Sequence, residues 1–511
     1  MSVVPPASPP RTGWPTRPTL WDALSLLTLA LFAFAALVWR YDATPLQLWD
    51  ESRNANNALE IALNGHWLTP TFGGVPDHWN TKPPLLIWLM AAGLKLGLPP
   101  LMAIRLPSWI AAFGTLGLVW TALRFGLKDR IAAFVGGALM LSSLAYVGAH
   151  AARTGDFDAL ESLFVAGYVL SGWAAFEDGR RRVRWLAATG AFAMLAVMTK
   201  GVAGLLAAPG LVVFALVRSK ALLAMVRDWR TWLIAAAALG VCLGYYLLRE
   251  RFDPGYIRAV LANEVGGRFM TVSDEHRGGS DYYLQVLATR FEPGLILLST
   301  AVLPLAGRDV RRRSLALVAI LSAVALLAVL SAAKSKLDWY ATPMIPLFAT
   351  AAAVGTSDLL AWVDRARPGF TSAARIGTGM ALAAAMAFTV FLQQTATTTS
   401  HGDLDGPQFG YARLFARIEA AHAARSVIAV DDGFANAAGF KAYNPILKFY
   451  ALREAGRGLQ VAILPAQVWL GVGADIVTCD PSALDRLRDD YRLTVRLRDR
   501  DCVLARITSL A

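Results

Sequence analysis

The feature that most constrains this chain is a recurring apolar run of about twenty residues. A helix needs about 20 mostly apolar residues to cross a bilayer. Such runs fall at roughly 20–39, 103–123, 131–149, 159–176, 185–200, 202–217, 231–248, 283–305, 314–333, 341–358 and 376–394. Composition agrees, with 56% hydrophobic and 17% charged residues against about 45–50% and about 25% in ordinary soluble domains. The predicted fold class is therefore an all-α polytopic membrane protein with about eleven or more transmembrane helices. The net charge of +12 reads as a topology signal, not as a nucleic-acid footprint, because the basic residues sit in short runs between apolar segments.

Those basic runs set the orientation. The clusters "RFGLKDR" (124–130), "EDGRRRVR" (177–184), "RSKALLAMVRDWR" (218–230), "GRDVRRR" (307–313) and "DRARPGF" (364–370) should all face the cytoplasm. They do so together only if the short run 83–98, which contains Lys95, lies in the interface or re-enters. The resulting division is a cytoplasmic tail 1–19, a transmembrane domain 20–396 with a first outer loop at about 40–82, and a soluble C-terminal domain 397–511 on the outer face. In the last, "SVIAVDD", "LQVAILPA", "ADIVTCD", "LTVRLRD" and "CVLARI" read as strands, and "GYARLFARIEAAHA" and "PSALDRLRDDY" as helices, an α/β pattern. No A-x-A-like cleavage site follows the first apolar run, so it reads as a retained span. No repeat of 20–50 residues is visible.

Polar residues crowd the side that this topology makes outer. Asp50 and Glu51 follow the first span, with Arg53 close behind; Asp156 and Asp158 sit at the mouth of the fourth; Lys82, Lys200, Arg268, Lys334, Lys336 and Tyr340 lie on the same side. Each alone has a plain structural reading. Asp50 can pair with Arg53, Asp156 can cap the helix that starts near Phe157, and the cations can snorkel to lipid headgroups. Together they suit a single chemistry, in which a carboxylate takes a proton from an acceptor while cations bind a phosphate at headgroup level.

These residues resemble a family. "WDESRNANNALEIALNGHWLTPTFGG", "WNTKPPLLIW", "ARTGDFDALESLF", "MTKGVAGLLAAPGLVVF", "NEVGGRFM" and "KSKLDWYATPMIPLFA" look like the ordered motifs of the GT-C glycosyltransferases of the aminoarabinose-transferase and protein O-mannosyltransferase type, over residues 20–360 or so. Val202 departs from the pattern, standing where proline is usual. The resemblance implies an inverting transfer of sugar from a polyprenyl-phosphate donor, in the inner membrane of a bacterium, with the site facing the periplasm. The acceptor it implies is lipid A, another glycolipid or an envelope glycan, with a protein acceptor as the alternative. It implies catalytic roles for Asp50 and Asp156, with Asp158 as the competitor at the second motif, and Glu51 is counted with them as a catalytic candidate. Contacts to the donor phosphate fall to Lys82, Arg53, Lys200, Arg268 and Tyr340. Trp67 and Trp79 are expected at headgroup level.

Other classes remain in view. A transporter or flippase is expected to show inverted repeats and ionisable residues at mid-membrane, and here the charges crowd one interface. No metal ligands are assigned: His66, His78, His150 and His276 are spread over outer loops without short ligand spacing, although a divalent ion is left open. Cys479 and Cys502 sit at strand-like segments where a disulfide is geometrically open; two buried thiols are the favoured expectation, and Cys242 is expected to be inert inside a span.

Overall fold

The computed structural model describes residues 18–48, 50–270, 278–399, 407–431, 444–465 and 467–511. Among them, eight helices are long and apolar enough to cross a membrane: Leu20–Ala43, Pro100–Gly126, Phe157–Glu177, Arg182–Leu205, Trp229–Phe252, Val310–Ala332, Met344–Ala366 and Pro368–Thr395. Two bent pairs, Ala208–Val217 with Ser219–Val226 (107°) and Tyr282–Arg290 with Glu292–Ala306 (105°), raise the number to ten if each is one span. The expected eleven are met differently in three places. The run 131–149 forms a helix of only 12 residues, Arg130–Leu141, followed by the short turn Leu144–Val147. The runs 202–217 and 283–305 belong to the bent pairs, the latter breaking just before Pro293, which lacks an N–H and cannot continue a helix.

The run 83–98 yields a helix of 11 residues, Leu85–Lys95. At 1.5 Å per residue it covers about half of a hydrocarbon core of about 30 Å. Several of the basic clusters are held by ion pairs at the helix ends. Arg312 pairs with Asp129 (2.7 Å) and Asp358 (2.8 Å), Arg218 with Glu177 (2.9 Å), and Arg124 with Asp22 (2.5 Å). The aspartates in these loops also start the next helices. Asp129, Asp228 and Asp309 each accept a backbone N–H from the first turn of the helix that follows, a normal N-cap.

Two helices form the centre of the bundle. Phe157–Glu177 has 89% of its apolar window buried and Met344–Ala366 has 83%, against 11% for the peripheral Trp229–Phe252. A helix that is apolar all round belongs inside, and polar side chains on a central helix therefore need partners or a ligand. Phe157–Glu177 begins directly after Asp156 and carries Asp158 and Glu161 in its first turns.

The loop after the first span, expected to be the outer loop and so called below, is built on a 15-residue helix, Asp50–Asn64, and a small antiparallel pair, β1 (Thr71–Phe72) and β2 (Val75–Pro76). The C-terminal unit has a five-stranded sheet of β3 (Ser426–Val430), β4 (Gln460–Leu464), β5 (Asp475–Thr478), β6 (Tyr491–Asp499) and β7 (Cys502–Leu510), in the order β4-β3-β5-β7-β6. β3 is parallel to β4 and β5, and β7 is antiparallel to β5 and β6. All five strands lie where the sequence pattern predicted them. Helix Pro445–Ala455, the crossover between β3 and β4, was not anticipated. It docks on the outer-loop helix, where the Asn56 side-chain amide donates to the Pro445 carbonyl at 2.7 Å.

The expectation of two separate thiols is overturned: Cys479 and Cys502 form a disulfide. The register explains it. Thr478 at the end of β5 faces Val503 near the start of β7, so the next residues outward face each other. Cys242 is buried in Trp229–Phe252 as expected.

Candidate active site

The outer loop spends most of its polar side chains on itself. Arg53, expected at the donor phosphate, forks onto Asp77 (2.8 and 2.7 Å) and lies over the Phe72 ring. Asn80 donates to the side-chain oxygens of Asn54 (2.9 Å) and Asn57 (3.0 Å), and Asn57 donates to the Thr71 carbonyl and to Asp77. Glu60 accepts from the Thr71 hydroxyl and from the backbone N–H groups of Gly73 and Gly74. Burial alone would raise the Asp77 carboxyl, but the Arg53 fork and the Asn57 and Asn80 donors outweigh it and hold it below the usual carboxylate range.

Glu51 is fully buried and joins three segments. Arg105 forks onto it (2.7 and 2.9 Å), and the backbone N–H groups of Gln47 and Gly155 each donate to it at 2.8 Å. Burial pushes its carboxyl up; the Arg105 charge and these donors win, and it lies low. Glu51 thus fastens the first outer loop to the second acidic segment and sets Asp50 opposite Asp156.

Asp50, Asp156 and His150 converge, with one ligand-type atom of each within 4.8 Å of the others. Asp156 stands at the N-cap of Phe157–Glu177, but its side chain makes no capping bond. Its Oδ2 accepts from the Thr154 hydroxyl at 2.5 Å, while Oδ1 is buried and unpartnered. His150 adopts a left-handed backbone (φ 59°) and stacks on Trp339 at 4.1 Å. Burial would depress its imidazole; the Asp156 carboxylate beside it, with Asp50 behind, lifts it to about 9.

On the other side of Asp156 lies a lysine centre. Lys200 Nζ donates to Asp158 (2.6 Å) and Glu161 (2.7 Å), and it sits 4.7 Å from the centre of the Tyr340 ring. Lys82 is buried with Nζ 5.0 Å from the centre of the Phe157 ring. Two adjoining cavities share Lys200, Val202 and Glu264. One, about 270 Å³, adds Glu161, Tyr340 and the apolar Leu326, Val329 and Leu330; the other, about 400 Å³, adds Lys82 and Tyr246. An apolar trough with a cationic head suits an amphiphile.

Of the residues singled out from sequence, Asp50 and Asp156 meet at one pole, and Asp158, Lys200 and Tyr340 at the other, with Lys82 beside Phe157 between them. Glu51 and Arg53 are engaged within the scaffold. The Arg268 side chain and His276 lie outside the described residues. Lys334 is exposed, and Lys336 donates to the Leu330 and Ser331 carbonyls at the end of Val310–Ala332. His78 pairs with Asp253 at 2.8 Å and His66 is exposed. The Trp67 carbonyl accepts from the Trp88 indole, and Trp79 is largely exposed. Sequence reasoning missed His150 as a site residue, and it missed Glu161 and Glu264. Glu161 had a readable signal: it lies three residues after Asp158, on the same helix face.

The architecture resembles that of solved membrane glycosyltransferases. The curated relatives that it is similar to are of the aminoarabinose-transferase type. Residues 81–246 match the family described as dolichyl-phosphate-mannose-protein mannosyltransferase. An undecaprenyl phosphate-α-4-amino-4-deoxy-L-arabinose arabinosyl transferase of Shewanella sediminis is 28% identical over 308 residues, 59% of this chain and 54% of that protein. A protein of the same name from Pseudomonas savastanoi pv. phaseolicola is 26% identical over 313 residues, covering 59% of this chain and 56% of that protein. The chain thus spans about half the length of these curated relatives. The crystal structure of ArnT from Cupriavidus metallidurans bound to undecaprenyl phosphate superposes with a TM-score of 0.69 at 20% identity, over 95% of this chain and 98% of that one. At that identity the likeness speaks for the fold.

Proposed function

We propose that this protein is an inverting glycosyltransferase that moves a sugar from a polyprenyl-phosphate donor to a lipid or envelope-glycan acceptor at the outer face of a bacterial inner membrane. The observation that carries the reading is the adjacency of two things: a carboxylate pair, Asp50 and Asp156, in which one buried Asp156 oxygen is unpartnered, and an apolar cavity headed by Lys200 and Tyr340. The named relatives act on an undecaprenyl-phosphate sugar, a donor whose tail fits an apolar trough and whose phosphate fits its cationic head.

The chemistry follows from the geometry. The acceptor hydroxyl oxygen attacks the anomeric carbon, the bond from that carbon to the phosphate oxygen breaks, and polyprenyl phosphate leaves with the electron pair. The hydroxyl proton passes to Asp50, a base whose help is worth about 10²–10⁴-fold when positioned. Lys200 spends two of its three N–H donors on Asp158 and Glu161, which leaves one for a departing phosphate oxygen. Developing charge there is stabilised by preorganised donors. Glu51 and Arg53 act as positioning residues through the contacts above.

The outer-face placement draws support from the disulfide, since such bonds persist in oxidising compartments such as the periplasm. It also draws support from the docking of the C-terminal unit on the outer loop. The test is mass spectrometry of envelope lipids and glycans in cells with the protein, without it, and with Asp50→Asn. A sugar present only with the wild-type chain supports the reading. Identical profiles in all three, with the protein expressed, would sink it.

A further inference from the structure

A separate cavity lies at the far end of the bundle from the acidic motifs. Arg105, which anchors Glu51, and Arg124 share one helix, Pro100–Gly126. At 1.5 Å per residue the two stand about 28 Å apart, close to a hydrocarbon core of about 30 Å. Leu20–Ala43 spans the same distance, with Thr19 at the cavity and the Tyr41 carbonyl accepting from Arg105. The cavity, about 700 Å³, is lined by four cations, Arg124, Lys128, Arg130 and Arg312, together with Asp129 and Thr19.

The cations divide by what they touch. Arg124 forks onto Asp22 (2.5 and 3.0 Å). Arg312 is spent on Asp129, Asp358 and the Val354 carbonyl. Asp129 in turn accepts from the Ser357 hydroxyl at 2.6 Å and from the Ala132 backbone N–H at 2.9 Å. The carboxylates are therefore consumed within the wall. Lys128 and Arg130 are exposed and, among the described residues, their side chains make no hydrogen bond or ion pair. Even with Asp22 and Asp358 counted, the cations outnumber the carboxylates, and the two uncommitted ones are those open to a ligand. An anion is what such a concavity attracts.

Phosphate esters at a bilayer boundary come from lipid headgroups or from solution, and the surroundings favour lipid. Trp21, close after Thr19, and Trp362, one turn beyond Asp358, are both exposed, as aromatic rings at headgroup level are. Leu20, Leu24, Leu27 and Leu31 are exposed too and share one stripe of their helix, by the three- and four-residue spacing that places side chains on one face. That stripe starts beside Thr19 and leads from the rim of the cavity along the span. We propose that this cavity binds the phosphodiester headgroup of an anionic glycerophospholipid, with Lys128 and Arg130 on the phosphate and acyl chain along the leucine stripe. Basic pockets between membrane helices are suited to such headgroups. The site is remote from the acidic motifs and does not depend on the transferase reading.

The experiment uses the full chain, delipidated in detergent and titrated with phosphatidylglycerol, phosphatidylcholine or soluble glycerol phosphate, with bound ligand counted by native mass spectrometry. The wild type should hold phosphatidylglycerol at least about tenfold more tightly than phosphatidylcholine, a readout that needs no variant. Lys128→Gln combined with Arg130→Gln should weaken phosphatidylglycerol about 25-fold, at about fivefold for each basic side chain near an anionic headgroup. Arg180→Gln combined with Arg181→Gln removes the same charge from exposed positions of another basic cluster and should leave affinity unchanged. Equal loss in the two double variants would reduce the effect to general surface charge and overturn the site. Equal affinity for phosphatidylcholine would overturn the preference for an anionic lipid, and glycerol phosphate bound as tightly as the lipid would overturn lipid as the occupant.

Discussion

The two acidic motifs are each split in the same way. In the first, Glu51 is saturated by Arg105 and two backbone donors, while its neighbour Asp50 is directed toward Asp156 and His150. In the second, Asp158 is tied to Lys200, while Asp156 keeps a buried oxygen unpartnered. One carboxylate of each pair holds the structure and the other is kept available. Buried polar groups normally find partners, so the unmatched Asp156 oxygen marks where a ligand belongs.

The sharpest way to break this comparison is to neutralise each member of the first pair. Asp50→Asn should lower sugar transfer by about 10²–10⁴-fold and leave thermal stability near wild type. Glu51→Gln should do the reverse in kind. It strands the buried Arg105, and breaking a buried pair costs about 3–5 kcal/mol, so the midpoint of unfolding should drop well before turnover is considered. Normal stability in Glu51→Gln together with normal turnover in Asp50→Asn would erase the distinction.

The second pair offers a finer version. Asp156→Asn should act on turnover with donor affinity retained. Asp158→Asn should leave Lys200 with Glu161 alone and show itself as altered affinity in a titration with polyprenyl phosphate. If the two variants exchange these signatures, the available carboxylate of this motif is Asp158.

Much of this was legible in the sequence, and the part that was not has a physical cause. Apolar runs and basic clusters report bilayer thickness and charge asymmetry, which are one-dimensional properties, so the spans at 20–39, 103–123 and 314–333 emerge directly. The run 131–149 misled because hydropathy does not register that the helix ends at Leu141. Asp50 and Asp156 could be named as candidates, but their separation from Glu51 and Asp158 could not. That depends on Arg105 and Lys200, which arrive from helices 54 and 42 positions away in the chain. Arg53 drew attention as a phosphate ligand by its type and position; Asp77, which it engages, carried no signal as its partner. His150 was visible only as one histidine among several on outer loops.

A smaller effect is expected away from the bundle. Reducing the Cys479–Cys502 bridge, or replacing both residues by serine, removes a constraint of the size typical for disulfides, about 2–4 kcal/mol. The loss should fall on the C-terminal unit, read as faster amide exchange in β5 and β7, with the transmembrane midpoint unchanged. A shift of the membrane bundle instead would mean that the docking of Pro445–Ala455 on the outer loop couples the two regions more tightly than the Asn56 contact suggests.

The smallest expected effect is a pH dependence of the outer loop, and its sign follows from the two buried carboxylates that hold it. Glu51 and Asp77 both lie below their ordinary values in the folded protein, because their arginine partners outweigh the cost of burial. A group whose folded pKa is depressed contributes stability that is complete above its unfolded value and is lost as pH falls through the folded one. Unfolded Glu and Asp titrate near about 4. The contribution should therefore be flat from neutral pH down to about 5 and decline only below that. Thermal unfolding of the detergent-solubilised chain between about pH 3 and pH 7, followed through Trp79 fluorescence near the loop, should show this plateau and acid step. Asp77→Asn should lower the plateau and shrink the step, because Arg53 then faces an amide at every pH. A loop that loses stability steadily between about pH 7 and pH 5 would place the controlling titration on another group and detach Arg53 and Asp77 from the scaffold role assigned to them.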